Sequence, residues 1–166
     1  ELVLGSSEKE RGIITFVRDP ALYYFTVFGD PTHEENPWGW RVEGHHISIN
    51  FSVWNNEVIS TTPFFFGSSP AEVRDGPKTG LRILSAREDM ALGLMQSLDA
   101  SQKSTAIIYD KAPFDLLTYN SSKVVLPLAE GLPASKMNPS QRQALMSLIR
   151  EYLAQVKQDI SARVTS

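Results

Sequence analysis

The chain has 166 residues, of which 42% are hydrophobic, so it is long enough to bury one core, and we expect a single domain over residues 1–166. Its formal net charge of -3 and its scattered lysines and arginines argue against a nucleic-acid partner. The absence of cysteine excludes disulfides, thiolate metal ligands and cysteine nucleophiles.

The N-terminal sequence shows neither a signal peptide nor a membrane segment. It begins ELVLGSSEKERG, without an initiating methionine and without a basic region followed by an apolar one. No apolar run in the chain approaches the roughly 20 residues that span a bilayer. We therefore expect a soluble chain with no membrane partner, either cytoplasmic or extracytoplasmic after removal of an N-terminal segment. The start is typical of a processed or trimmed end, as expected if the chain is part of a longer protein.

Two apolar runs near the N-terminus predict neighbouring β-strands. The runs are GIITFV (12–17) and ALYYFTVF (21–28), and Pro20 lies at the turn between them. Because both are nearly continuous apolar stretches, we expect both faces of these strands to be covered.

The next strand is predicted to begin at a pair of histidines. From His45 to Val53 the side chains alternate. The odd-numbered residues after His45 are apolar, and the even-numbered residues from His46 onward are polar. The Asn55-Asn56 pair is suited to a two-residue hairpin turn, followed by a partner strand over 57–66.

In that register His46 lies opposite Phe65 and His45 lies opposite Phe66. The histidines would then end their strand beside an aromatic cluster.

The rest of the chain is predicted to be mostly helical. Four segments place a capping side chain three residues ahead of a Glu or Gln, and they begin at Ser69, Ser85, Asp99 and Asn138. The last of these starts a long amphipathic helix, roughly from Pro139 to Ala162. Strands followed by helices predict an α+β fold, with an antiparallel meander of four to five strands and helices packed on one side.

The strongest candidate for a functional centre is the group Glu43, His45 and His46. One histidine, with His46 favoured, would act as acid or base while Glu43 orients its ring. Alternatively, His45 and His46, together with Glu43, would ligate a divalent metal ion. This requires Gly44 to open a bulge, because adjacent strand residues point to opposite faces. A third possibility is that both histidines are a buried, hydrogen-bonded structural brace.

The surroundings of the histidines are typical of a small-molecule pocket, which is mostly apolar with a few convergent polar groups. The candidate ligand-binding residues are Trp38, Trp40, Asn50, Phe65, Gly67 and Ser69. The last two lead into the helix predicted at Ser69, whose free amides would attract an anion.

Four segments of the sequence resemble a known family. They are DPALYYFTVFGDP, PWGWRVEGHHISINF, TPFFFGSSPAEVRDGPKTGLRIL and LMQSLDASQKSTAI. In this order they are similar to the later half of the family called domain of unknown function 3500, over about residues 18–152. The matching positions are Trp38, Trp40, Glu43, Gly44, His45, His46, Asn50, Pro63, Phe65, Gly67, Pro70 and Gly80. Longer members carry an N-terminal helical portion, so the resemblance implies that such a portion would be a partner of this chain.

Two classes of function remain open from the sequence. The first is an enzyme that acts on a small molecule through histidine acid–base chemistry or a histidine-bound metal. The second is a ligand-binding or structural module without catalysis.

Overall fold

The structure is a computed structural model, which describes Asp19 and residues 21–114, 117–118, 125–126 and 128–156. The chain divides into two compact units, residues 1–85 and residues 86–166. Each is considered by itself below. The strand predicted at 12–17 and the end of the helix predicted to reach Ala162 lie outside the described residues.

In the part of the first unit that the structure describes, five strands form an antiparallel sheet. They are β1 (Tyr24–Phe28), β2 (Trp38–Gly44), β3 (Ile47–Trp54), β4 (Glu57–Ser60) and β5 (Phe64–Phe66). Strands β1 to β4 are neighbours in chain order, and β5 also pairs with β3. The predicted antiparallel meander of four to five strands is confirmed, and with the helices of the second unit so is the α+β class.

The turn between β3 and β4 is the predicted Asn55-Asn56 pair. Both residues have positive φ, 49° and 57°, which is the left-handed conformation that a two-residue hairpin turn of this type requires. Next to the turn, Val53 pairs with Val58, as the predicted register requires.

Beyond those pairs the predicted register is wrong. A β-bulge shifts the pairing so that Ser52 lies opposite Ser60. The single strand expected over 57–66 is interrupted and resumes as β5, where Ile47 lies opposite Phe66 and Ser48 lies opposite Phe65. Phe65 and Phe66 are therefore opposite the start of β3 and not opposite the histidines.

The turn gives a first test of the fold. We expect Asn56→Val to lower the free energy of unfolding by about 1–2 kcal/mol, because a β-branched residue resists a positive φ. Asn56→Gly keeps that conformation accessible and serves as the control, with stability close to that of the parent. Urea unfolding followed by tryptophan fluorescence measures both, since all three tryptophans lie in the sheet unit. Equal stability of the two variants would contradict this turn geometry.

One face of the sheet is apolar and is called the aromatic face here. Its members follow from strand alternation and the pairing register, and they are Phe25, Val27, Trp38, Trp40, Val42, Ile47, Ile49, Phe51, Val53, Phe64 and Phe66. A row of aromatic rings crosses four strands, and at its centre Trp40 stacks on Phe51 with 4.5 Å between ring centroids. Phe25 contacts Trp40 at one end of the row, and Phe64 contacts Phe51 at the other. These contacts hold the sheet together from β1 to β5.

The expectation that both faces of the 21–28 strand are covered is wrong. Phe25 is 65% exposed, and Tyr24, Val27 and Phe28 are exposed as well. Within the part of this unit that the structure describes, Val53 is the one buried hydrophobic residue, at 7% exposure. Apolar composition in a strand predicts a tendency to be covered, but it does not identify a covering element.

The described residues from Ser85 onward form three α-helices. They are α1 (Ser85–Ser97), α2 (Ala100–Ala106) and α3 (Pro139–Leu153), and a short 3₁₀ helix at Ala134–Lys136 precedes α3. Among the described residues, none of the helices is long and apolar enough to cross a bilayer.

Two of the predicted capping boxes are present with both of their hydrogen bonds. In each, the cap side chain accepts from the backbone of the third helical residue, whose own side chain accepts from the cap backbone; the pairs are Asp99 with Gln102 and Asn138 with Gln141. Helix α3 ends at Leu153, where the Ala154 N–H donates to the Arg150 carbonyl. The last part of the helix predicted to reach Ala162, from residue 157 on, lies outside the described residues.

The helix predicted at Ser69 is absent, and residues 69–76 form bends and irregular structure. Only five residues separate Ser69 from the Asp75-Gly76-Pro77 turn, and Gly76 has a φ of 87°. So short a helix would make too few hydrogen bonds to offset the cost of nucleation.

Candidate functional site

The two adjacent histidines form a hairpin turn. Because Gly44 at the end of β2 pairs with Ile47 at the start of β3, His45 and His46 are the two residues that join these strands. The expectation that they belong to the strand and point to opposite faces is therefore wrong. Their ring centroids lie only 4.7 Å apart, with the ring planes tilted by 50°.

Gly44 makes room for an aromatic ring beside this turn. A Cβ atom at Gly44 would collide with the ring of Tyr23, which lies across the glycine on the aromatic face. The same tyrosine contacts His45, with 5.6 Å between ring centroids. Gly44 is thus needed for close approach of a ring, and no bulge is found between Gly44 and Ile47.

Gly67 brings the chain after β5 against His46. Its backbone N–H donates to the His46 carbonyl at 2.8 Å, which extends the β3–β5 pairing by one step. A Cβ atom at Gly67 would lie 3.3 Å from Nδ1 of His46 and 3.0 Å from the Phe65 ring. The absence of a side chain at this position therefore allows the histidine ring and the chain to be neighbours.

The loop after Gly67 folds back on itself and does not start a helix. The Val73 N–H donates to the Leu81 carbonyl at 3.0 Å, and the Gly80 N–H donates to the Val73 carbonyl at 2.8 Å. Gly80 adopts a φ of 86°, which favours glycine. Because no helix begins at Ser69, the predicted anion site at a helix N-terminus does not exist.

A cavity of about 420 Å³ lies between this loop and the turn end of the aromatic face. Its apolar walls are Tyr23, Ile47 and Phe66 from the sheet, and Pro70, Val73, Leu81, Ile83 and Leu84 from the loop. Its polar side chains are His46, Ser68, Ser69 and Lys78. This volume is within the range of small-molecule sites, as is the apolar lining with a few polar groups.

Three of the predicted site residues line the cavity together: His46, Gly67 and Ser69. The aromatic face also carries Trp38 and Trp40, but their positions along β2 are away from the turn, and neither lines the cavity.

The other predicted residues do not line the cavity either. By strand alternation Glu43, Asn50 and Phe65 lie on the opposite face of the sheet. His45 is in the turn, against Tyr23.

The polar groups on that opposite face bond to one another. The Arg41 guanidinium contacts a Glu43 carboxylate oxygen at 2.7 Å, and it also lies over the Phe28 ring at 5.2 Å. The Asn50 side-chain amide donates to the Ser48 hydroxyl at 3.1 Å and to the Pro63 carbonyl at 3.0 Å. These contacts give Glu43 and Asn50 roles in bracing the sheet.

The metal hypothesis gains no third ligand from the described residues, which contain no group of three or more His, Asp or Glu placed to hold an ion. The remaining histidine, His33, is in the loop at the other end of β2. The seven residues of β2 extend roughly 20 Å at about 3.3 Å each.

That distant loop has its own charged groups. His33 lies 3.8 Å from a carboxylate oxygen of Asp30 and 3.8 Å from one of Glu35. Hydrogen bonds from the Thr32 hydroxyl and the Thr32 N–H lower the pKa of Asp30. These groups belong to the β1–β2 loop and take no part in the cavity.

Lys78 and the apolar loop residues Leu81, Ile83 and Leu84 were missed by the sequence reasoning. Their segment, DGPKTGLRIL, gave a turn signal at Asp75-Gly76 but nothing that indicated where the loop would fold. Pairing of Val73 with Leu81 across an irregular loop has no periodicity by which it could be predicted.

A comparison with protein families matches residues 2–166 to the family described as "Protein of unknown function (DUF3500)". The chain belongs to this family. The match confirms the resemblance noted over residues 18–152 and extends it to nearly the whole chain. No curated protein matches this DUF3500 chain, and no solved structure does. For this DUF3500 domain, support for a function comes from the geometry of the cavity.

Proposed function

We propose that this DUF3500 domain binds a small, largely apolar molecule in the cavity beside His46. The observation that supports the proposal is the cavity itself, of about 420 Å³, with apolar walls from two segments and His46 on its surface. Most of a bound molecule's stabilisation would come from removing apolar surface from water. The polar side chains would fix its orientation.

Proton transfer by His46 is the second candidate function. It is favoured by the position of the imidazole on the wall of an apolar cavity, where a bound molecule would exclude water from the ring. Glu43 is on the opposite face of the sheet and bonded to Arg41, so the catalytic proposal is confined to His46. A metal at His45 and His46 would need further ligands from outside the described residues.

The alternative to a binding site is that the His46 side chain is a structural brace. The hydrogen bond that joins His46 to Gly67 uses the main chain, so it survives removal of the imidazole. On the binding proposal, His46→Ala should leave the melting temperature within about 3 °C of the parent and weaken binding. On the brace account, the same change should cost about 1–3 kcal/mol of stability and leave binding unchanged.

Binding can be tested with N-phenyl-1-naphthylamine, a neutral apolar probe of suitable size. The chain has three histidines, so the ring carbon-bound protons of each can be assigned by single His→Gln variants. We expect the probe to shift the His46 ring signals saturably and leave those of His33 unchanged, since His33 is at the far end of β2.

Two tryptophan variants make the test specific for the cavity. Val73→Trp introduces a large ring at a half-buried lining position, whereas Ile59→Trp adds the same ring on β4, at an exposed position that does not line the cavity. Binding should be lost in the first variant and retained in the second. If the probe shifts His33 as much as His46, or binds equally to both variants, then it does not occupy this cavity and the proposal fails.

A further inference from the structure

The polar side chains that line the cavity include none that is negatively charged. They are an ammonium group, an imidazole and two hydroxyls, from Lys78, His46, Ser68 and Ser69. Lysine has only donors, imidazole can donate from either ring nitrogen when protonated, and hydroxyls donate readily. The Ser68 hydroxyl already donates to the Pro70 carbonyl at 3.0 Å, so Lys78, which has no acceptor, is the side chain that specifically favours a hydrogen-bond acceptor on the ligand.

Lys78 adds a positive charge to that lining. Among the described residues, it forms no ion pair with a carboxylate. A ligand without a negative charge that covered this ammonium group would displace its hydrating water without forming a compensating ion pair. A ligand anion at the same place would make a charge-assisted hydrogen bond instead.

Building on the proposed function, we propose that the ligand is a monoanionic carboxylate with an apolar body. A single negative charge suits the site because the lining residues include one lysine and no arginine. Phosphate sites usually gather more donors than this, from arginine pairs or several backbone amides. The apolar body would lie against Ile47, Phe66 and Leu81 while the carboxylate faces Lys78 and His46.

An isosteric pair of compounds isolates the charge. Naphthalene-1-acetate and naphthalene-1-acetamide have nearly the same shape, and only the first is an anion at neutral pH. Titrations followed by the His46 ring signals should give a dissociation constant about tenfold lower for the acetate, the factor expected of one charge-assisted hydrogen bond at a partly exposed site.

Lysine variants then assign the effect to one residue. Lys78→Met keeps most of the length of the side chain and removes its charge, so it should weaken acetate binding about tenfold and change acetamide binding less than twofold. Lys111→Met makes the same change in net charge at an exposed residue that does not line the cavity, and it should alter neither constant.

The outcomes separate this inference from the proposed function. If both compounds bind at His46 with equal affinity and Lys78→Met changes neither, the carboxylate preference is wrong while the cavity remains a binding site. If Lys111→Met weakens acetate binding as much as Lys78→Met, the effect is one of net charge and the inference also fails. If neither these compounds nor N-phenyl-1-naphthylamine shifts the His46 signals, both proposals are overturned.

Discussion

Replacing Gln141 by methionine should lower the free energy of unfolding of the helical unit by about 3 kcal/mol. Gln141 is only 4% exposed, and its side-chain amide makes four hydrogen bonds. Its oxygen accepts from the Asn138 N–H at 2.9 Å and from the Gln102 amide at 3.0 Å. Its nitrogen donates to the Ser97 carbonyl at 2.8 Å and to the Gln102 oxygen at 2.9 Å.

This arrangement joins two helix starts through their capping boxes. Gln102 and Gln141 are the third helical residues of α2 and α3, and their amides pair with each other while each still caps its own helix. Methionine matches glutamine in length but can neither donate nor accept at these positions. The substitution therefore leaves the Asn138 N–H and the Ser97 carbonyl without their partner, and the cost of such buried groups exceeds that of a single exposed hydrogen bond.

A control on the same helix is Gln143→Met, at an exposed position, where the change should stay within about 0.5 kcal/mol. All three described α-helices are at or beyond Ser85, so circular dichroism at 222 nm follows their unfolding, while tryptophan fluorescence follows the sheet. A Gln141→Met protein whose helices unfold at the denaturant concentration of the parent would show that the paired amides contribute no net stability.

The contrast between local and non-local signals explains which parts of the fold were predictable. The Asn55-Asn56 turn and the capping boxes at Asp99 and Asn138 are each specified within four residues, and each was predicted correctly. The helix at Ser69 had a similar signal, but the turn at Asp75-Gly76 leaves too little length for it. A cap motif thus indicates a helix only when enough chain follows it.

The register of β5 illustrates a limit of a different kind. Counting outward from the Asn55-Asn56 turn gives correct partners for Val53 and Trp54, and the bulge beyond them then displaces every later pair. The bulge adds one residue, so that Ser52 pairs with Ser60, and the break between β4 and β5 adds a second, so that Ser48 pairs with Phe65. Nothing in the sequence marks where either residue is added. Phe65 was placed opposite His46 for this reason, although it lies opposite Ser48.

The candidate site was predictable in location but not in composition. The sequence drew attention to His46 because two adjacent histidines follow a glycine, and the structure places that histidine on a cavity wall. Glu43 and Asn50 were assigned to the site because they are close to His46 in sequence. Strand alternation places both of them on the face of the sheet opposite the cavity. Lys78 is 32 positions beyond His46, and only the folded loop brings it to the same cavity.

A Gly→Ala substitution at two positions should change stability in opposite directions. Gly39 is buried within β2, between β1 and β3, and a Cβ atom there would lie 2.6 Å from the backbone oxygen of Phe51. Gly93 is in α1, and a Cβ atom there would have nothing within 4 Å. We expect Gly39→Ala to destabilise the sheet unit by about 3 kcal/mol, and Gly93→Ala to stabilise the helices by about 0.5–1 kcal/mol.

The difference in sign follows from what each added methyl group meets. At Gly39 the obstacle is main chain, so relief requires β2 and β3 to move apart, which would weaken the pairing of Trp40 with Phe51. At Gly93 the methyl group enters solvent, and alanine loses less backbone entropy on folding than glycine does. Tryptophan fluorescence should report the first change, and circular dichroism at 222 nm the second. If Gly39→Ala proves as stable as the parent, β2 and β3 cannot approach as closely as the structure has them. The stacking of Trp40 on Phe51 would then need a different register.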